Sequence, residues 1–205
     1  MMAKVKLGVL ASGRGSNLQA IIDAVEKKEL DIEINMVISD KEEAYVLKRA
    51  QAHSISACYI NPKSFISKEE YEAEMVKLLK EAGVNLLALA GYMRIVGSTL
   101  LNSFPNQVLN IHPALLPAFP GLDGQKQALE YGVCYSGCTV HFVDEGMDTG
   151  PIILQSVVPV LADDTEDTLS ARILAEEHKT YPKAIKLYSA GKLRIEGRKV
   201  RIIRE

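Results

Sequence analysis

Three stretches of this sequence combine residue types and spacings that can do chemistry. The first is Ser12-Gly13-Arg14-Gly15-Ser16-Asn17, a glycine-rich turn running straight into a helical pattern. Such a turn offers main-chain N–H groups and the positive end of a helix to an anion. It lacks the Gly-Lys-Ser/Thr ending of a P-loop and the third glycine of the dinucleotide fingerprint. Ser16 and Asn17 add side-chain donors, which suits a single phosphate. The alternative is an ordinary strand-to-helix turn with an N-cap.

The second stretch is Asn110-Ile111-His112-Pro113. Residues i and i+2 of a strand point to one side, so Asn110 and His112 project together near the carboxyl end of a strand, where open α/β sheets bind ligands. An amide can donate to a developing oxyanion, and an imidazole can donate or shuttle a proton near neutral pH. Asn and His are also common turn formers. The third stretch, Asp144-Glu145-Gly146-Met147-Asp148-Thr149-Gly150-Pro151, reads either as a solvated loop or as the source of a carboxylate, Asp148, that orients His112. A carboxylate beside an imidazole fixes its tautomer and raises its pKa. Spacing along the chain does not establish that the two meet. The loop lacks the oxygen-ligand spacing of an EF-hand.

Other reactive residues read as structural. His141 lies within an apolar strand and reads as a satisfied core histidine, and His53 as a helix-end surface residue. Cys134 and Cys138 have no second ligand pair, so no metal site is expected. No Gly-x-Ser-x-Gly elbow is present. Arg194, Arg198, Lys199, Arg201 and Arg204 form the solvated edge of a terminal hairpin.

The elements that position these groups follow from hydrophobic periodicity. Lys4 to Leu10 is a strand, and Leu18, Ile21, Ile22 and Val25 mark one face of the helix after the glycine turn. Ile34 to Ser39 is a second strand, Glu43 to Gln51 a short helix, and Cys58 to Ile60 a short strand. Ser67 and Glu70 have capping-box spacing for a helix that Gly83 ends. Leu86 to Ala90 is apolar without alternation, as in a parallel strand covered on both faces, and Val108 to Ile111 is the next strand. Thr139 to Val143 and Ile152 to Leu161 are extended. Thr165 to Lys179 is helical, Pro182 breaks or kinks it before a last turn ending at Gly191, and Leu193 to Ile203 is a hairpin around Gly197-Arg198. Strands alternating with helices predict an α/β fold with a mostly parallel, twisted sheet, flanked by helices, and an antiparallel C-terminal portion.

Composition bounds the rest. The 205 residues suit a single domain, 1–205, and 47% hydrophobic with 24% charged residues is ordinary for a globular chain. A net charge of −2 gives no bias toward nucleic acid or anionic membrane. No apolar run approaches the roughly 18 residues that span a bilayer. The start, Met1-Met2-Ala3-Lys4-Val5-Lys6, has no secretory pattern, and three cysteines point to reduced thiols. A cytoplasmic protein without nucleic-acid or membrane partners is expected.

Taken in order, Val-Leu-Ala-Ser-Gly-Arg-Gly-Ser-Asn-Leu-Gln-Ala, Ala-Gly-Tyr-Met-Arg-Ile, Leu-Asn-Ile-His-Pro-Ala-Leu-Leu-Pro and Asp-Glu-Gly-Met-Asp-Thr-Gly-Pro-Ile resemble the glycinamide ribonucleotide formyltransferases of purine biosynthesis. The resemblance covers essentially the whole chain. It implies a Rossmann-like formyltransferase fold, with a nucleotide-phosphate half to about residue 105 and a catalytic and folate-binding half after it. It makes Asn110, His112 and Asp148 the catalytic trio, puts the substrate phosphate on Gly15, Ser16 and Asn17, and gives Glu177 the ribose hydroxyls. The folate would lie against Met93, Arg94, Ile95 and Val96 and against Val143 and Asp144. The implied co-substrate is 10-formyltetrahydrofolate, with no metal, and the implied state a monomer or homodimer. A cis Leu116–Pro117 bond is also implied.

Two departures stand out. Some members carry histidines where this chain has Leu122-Asp123-Gly124-Gln125, and Leu174, one turn before Glu177, brings no charge to the nucleotide. Among related activities, a methionyl-tRNA formyltransferase would need a further RNA-binding domain. A formyltetrahydrofolate deformylase, the alternative kept, typically has an extra N-terminal domain. A non-catalytic sensor would have no reason to keep all three polar groups.

Overall fold

The structure, a computed structural model, describes residues 4–203. Met1 to Ala3 and the tail residue Arg204 lie outside the described residues. The chain forms two compact units, one ending at Leu109 and the other beginning at Asn110.

In the first unit, β1 (Lys6–Leu10), β2 (Glu33–Ser39), β3 (Ala57–Tyr59) and β4 (Leu86–Leu89) pair in the order β3-β2-β1-β4, all parallel. Leu7, Val9, Leu10, Leu86, Leu87 and Ala88 are fully buried, which explains why β1 and β4 read as apolar runs without alternation. Helices α1 (Ser16–Glu26), α2 (Tyr45–Ala52), α3 (Lys68–Glu81) and α4 (Ser98–Ser103) accompany them. The start of α3 departs from the expected capping box. Ser67 Oγ accepts from Glu70 N at 3.1 Å, but the Glu70 carboxylate accepts from Ile66 N, one residue before the cap, at 3.1 Å. At the other end Gly83, at φ +69°, closes the helix with Gly83 N donating to Lys80 O and Val84 N to Leu79 O. Helix α4 was not anticipated, because six residues rich in Ser and Thr carry no helical period.

Strand β5 (Val108–His112) leads into the second unit, whose strands run β5-β6-β7-β9-β8. β6 (Tyr135–Phe142) and β7 (Ile152–Pro159) are antiparallel, as are β8 (Leu193–Glu196) and β9 (Lys199–Ile202), while β7 and β9 are parallel. β6 begins four residues before the predicted strand, in a stretch whose Ser and Gly hide its period. Helix α5 (Gly124–Tyr131) is a second element that the sequence reading lacks.

Of the two readings of Pro182, a break or a kink, helix α6 (Glu166–Ser189) excludes the break: the helix runs through it. Proline removes one hydrogen bond and crowds the preceding turn, at a cost of about 3 kcal/mol. Tyr181, Ala184 and Ile185 around it are fully buried, and burying each large apolar side chain contributes roughly 1.5–3 kcal/mol. Packing therefore outweighs the break. Thr165 and Thr168 cap α6 reciprocally, and Gly191, at φ +65°, ends it. Together the elements are the expected α/β class, mostly parallel with an antiparallel C-terminal part.

Candidate active site

The second unit gathers four polar side chains. Asn110 and His112 come from β5, His141 from β6 and Asp148 from the loop before β7. Asp148 Oδ2 lies 3.3 Å from His112 Nδ1 and accepts from Gly121 N at 2.8 Å. Its Oδ1 accepts from Asn110 Nδ2 at 3.3 Å and lies 3.5 Å from His141 Nε2. Asn110 Nδ2 also lies 3.2 Å from His141 Nε2. The carboxylate thus sits between two imidazoles and an amide.

Local backbone explains how Asp148 gets there. Asp144 Oδ1 accepts from Gly146 N at 3.2 Å and from Thr149 Oγ1 at 2.6 Å, closing the loop on itself. Asp148 adopts φ +55°, a left-handed conformation that aspartate tolerates better than most residues. The register of β6 on β7 shifts between Val140 and His141, and such a bulge re-aims the side chain beside it. His141 is therefore a member of the cluster that the sequence reading assigned to the core. It is buried, as that reading held, but its Nε2 faces Asp148 and Asn110 while its Nδ1 donates to Phe142 O at 2.8 Å. The only sequence signal was a histidine inside an apolar strand.

The electrostatics correct one expectation. Burial pushes the His112 pKa down, and the opposing effects of the Asp148 charge and the Phe119 carbonyl do not restore it; the neighbouring His141 lowers it further. His112 Nε2 donates to Phe119 O at 2.7 Å, and Asp148 stands 3.3 Å from Nδ1. The neighbouring carboxylate was expected to raise the His112 pKa, but burial outweighs it and the net shift is downward. For Asp148, burial acts upward, but His141, the Gly121 amide and His112 outweigh it and hold the carboxyl below its ordinary range. The Leu116–Pro117 bond in the turn after His112 is cis.

Gly15, Ser16 and Asn17, the residues expected to take a phosphate, lie in the first unit. Gly15 is the N-cap of α1 at φ +72° with no side-chain cap hydrogen bond, and Ser16 and Asn17 form the first two residues of the helix. A Cβ on Gly15 would meet Val46 Cγ2 at 2.6 Å, so glycine is needed both for its φ and for space. The loop is pinned from α2, with Val46 N donating to Gly13 O at 3.1 Å and Arg49 Nε to Arg14 O at 2.9 Å. Arg49 also donates to Gln19, and His53, at the end of α2 as read, contacts Glu26 of α1 at 2.8 Å.

The remaining predicted contacts divide by exposure. Met93 and Ile95 are 63% and 59% exposed on the segment between β4 and α4, and Arg94 is exposed beside them. Val96 is buried, so only its main chain is available to a ligand. Val143 is half-buried and Asp144 exposed. Glu177 is a buried carboxylate on α6. Among the described residues, no three His, Cys, Asp or Glu side chains converge as a metal site, and no helix is long and apolar enough to cross a membrane.

Comparison with known proteins follows the same residues. The formyl transferase family matches residues 5–185. The chain belongs to that family. Among formyl transferases it is 45% identical to the phosphoribosylglycinamide formyltransferase of Bacillus subtilis over 181 residues, covering 88% of this chain and 93% of that one. It is 48% identical to the trifunctional purine biosynthetic protein adenosine-3 of Drosophila pseudoobscura pseudoobscura, covering 92% of this chain. The chain spans only 14% of the length of that relative. The crystal structure of glycinamide ribonucleotide transformylase 1 from Symbiobacterium toebii superposes with a TM-score of 0.97 at 51% identity, covering 98% of this chain and 95% of that one.

Proposed function

We propose that the chain transfers the formyl group of 10-formyltetrahydrofolate to the amine of glycinamide ribonucleotide, giving N-formylglycinamide ribonucleotide and tetrahydrofolate in purine biosynthesis. The observation that carries this reading is the cluster of His112, Asn110 and Asp148 in a formyl transferase. The likeness over nearly full length to the Bacillus subtilis enzyme supports the choice of substrates. The folate supplies the formyl carbon.

His112 Nε2–H turns from the Phe119 carbonyl to the formyl oxygen and stabilises the negative charge that grows there as the amine nitrogen attacks. A neutral imidazole donor loses no proton to the oxyanion and needs no charge to act. Asn110 gives one of its two amide protons to the same oxygen. Asp148 accepts a proton from the attacking amine through water, and that proton is delivered to N10 as its bond to the formyl carbon breaks. Gly15, Ser16 and Asn17 hold the substrate phosphate, and Glu177 accepts hydrogen bonds from the ribose hydroxyls. Met93, Arg94, Ile95 and the main chain at Val96 contact the folate, as do Val143 and Asp144. Exposed apolar side chains on a fixed segment suit a flat heteroaromatic ring. Free Cys58, Cys134 and Cys138 are consistent with a reducing cytoplasm.

The test is a spectrophotometric assay of 10-formyltetrahydrofolate turnover with and without glycinamide ribonucleotide. Turnover that requires the nucleotide and yields its formyl derivative is expected. Formate release without the nucleotide would instead make the chain a deformylase.

A further inference from the structure

The segment Gly91–Val96 exposes two large apolar side chains, Met93 and Ile95, yet its backbone is held at both ends. At its start, Ser12 N donates to Gly91 O at 3.0 Å and Ser12 Oγ accepts from Met93 N at 2.9 Å. At its end stands Glu72, a carboxylate on α3 that is 2% exposed. Glu72 Oε1 accepts from Gly97 N at 2.5 Å and Oε2 from Leu100 N at 3.2 Å. Gly97 is the N-cap of α4 and Leu100 its third residue, so Glu72 does from another helix what an N-cap side chain does locally. No side chain of α4 itself caps its start. Between the anchors, the segment lies on α3: Tyr92 and Tyr71 hydroxyls are 3.0 Å apart, and the Arg94 guanidinium sits 5.7 Å above the Tyr71 ring.

Burying a carboxylate is costly unless its oxygens are satisfied. Here both are satisfied by main-chain N–H groups of one loop end, with Lys68 Nζ 3.9 Å away at the rim. Gly97 makes the approach feasible, because a Cβ there would lie 2.9 Å from each carboxylate oxygen. A buried charge devoted to fixing the exit of an exposed apolar segment is an arrangement for pre-organising a binding surface.

We propose that Glu72 is a positioning residue for the folate: it pre-orders the segment carrying Met93 and Ile95 from its C-terminal end, while Ser12 fixes the start. This rests on the assignment of that segment to the folate. Removing Glu72 leaves two N–H groups of the loop end without their acceptor, and the ordering must then come from the folate's own binding energy.

Steady-state kinetics of the full chain test this with Glu72→Ala, Glu72→Gln and, separately, Met93→Ala. Glu72→Ala is expected to raise the folate KM about tenfold, with kcat and the nucleotide KM within about twofold of the parent. Glu72→Gln, which keeps one acceptor, should recover part of that loss. If Glu72→Ala does not fold, Gly97→Ala displaces the carboxylate without deleting it and should give the same selective rise. An unchanged folate KM, or parallel rises in both KM values, would overturn the proposal. A Met93→Ala variant with unaltered folate KM would overturn the underlying assignment instead.

Discussion

Asp148 Oδ1 lies 3.5 Å from Nε2 of His141, a ring whose other nitrogen already donates to Phe142 O. Asn110 Nδ2 lies 3.2 Å from the same Nε2, so one edge of the ring meets both the carboxylate and the amide. His141 thereby positions the two groups that we propose act in the reaction. We predict that His141→Leu lowers kcat on the order of tenfold, because a buried donor loses its partner, while substrate KM values stay close to the parent. His141→Gln, which can return an acceptor near the Nε2 position, should recover most of the activity. Equal activity in the Leu and Gln variants would refute the orienting role.

The ionisation of His112 is open to direct measurement by NMR titration of the histidine rings. Burial holds its pKa below 6.5, and Asp148 is the largest influence opposing burial. Asp148→Asn should therefore move the His112 midpoint further down. A midpoint above 6.5 in the parent would contradict the neutral-donor mechanism.

The same direction fixes a pH dependence of stability. A histidine with a depressed folded pKa favours the neutral form, so the unfolded chain binds the extra proton first and stability falls as pH drops below 6.5. Asp148, also depressed, adds stability above 3.8 that is lost as pH falls through its folded value. Denaturant unfolding from pH 7 to pH 5 should show a decline that His112→Gln reduces. An identical decline in that variant would assign the effect to other groups.

Removing the His112 imidazole tests its role in the reaction rather than its charge. His112→Ala should cut kcat about 100- to 1,000-fold, the usual effect of deleting one oxyanion donor. Nucleotide affinity by calorimetry should stay nearly unaltered, because the proposed phosphate contacts are made by other residues. Turnover near that of the parent would remove His112 from the mechanism.

Gly15→Ala addresses the first unit. It places a Cβ 2.6 Å from Val46 Cγ2 at φ +72°, costs that together suggest a loss of about 1–3 kcal/mol. A lower Tm together with weaker nucleotide binding is expected. A variant with normal Tm and normal nucleotide affinity would show that the tight turn is dispensable.

The sequence by itself determined the alternation of strands and helices, since apolar runs such as Leu86–Leu89 and the period of α1 are local consequences of burial. It also determined the pairing of Asn110 with His112, because two residues along a strand always share a face. It did not reveal the short helices α4 and α5, and the start of α4 is capped by Glu72 from another helix. It left open whether Pro182 breaks the helix, and the burial of Tyr181, Ala184 and Ile185 keeps it continuous. Only the tertiary structure brought Asp148 to His112, through a loop closed on Asp144, and drew His141 in beside them through a shift in strand register. It alone decided the direction of the His112 pKa shift as well. Adjacency to a carboxylate can be guessed from residue types, but the depth of burial that outweighs it depends on everything packed around the ring.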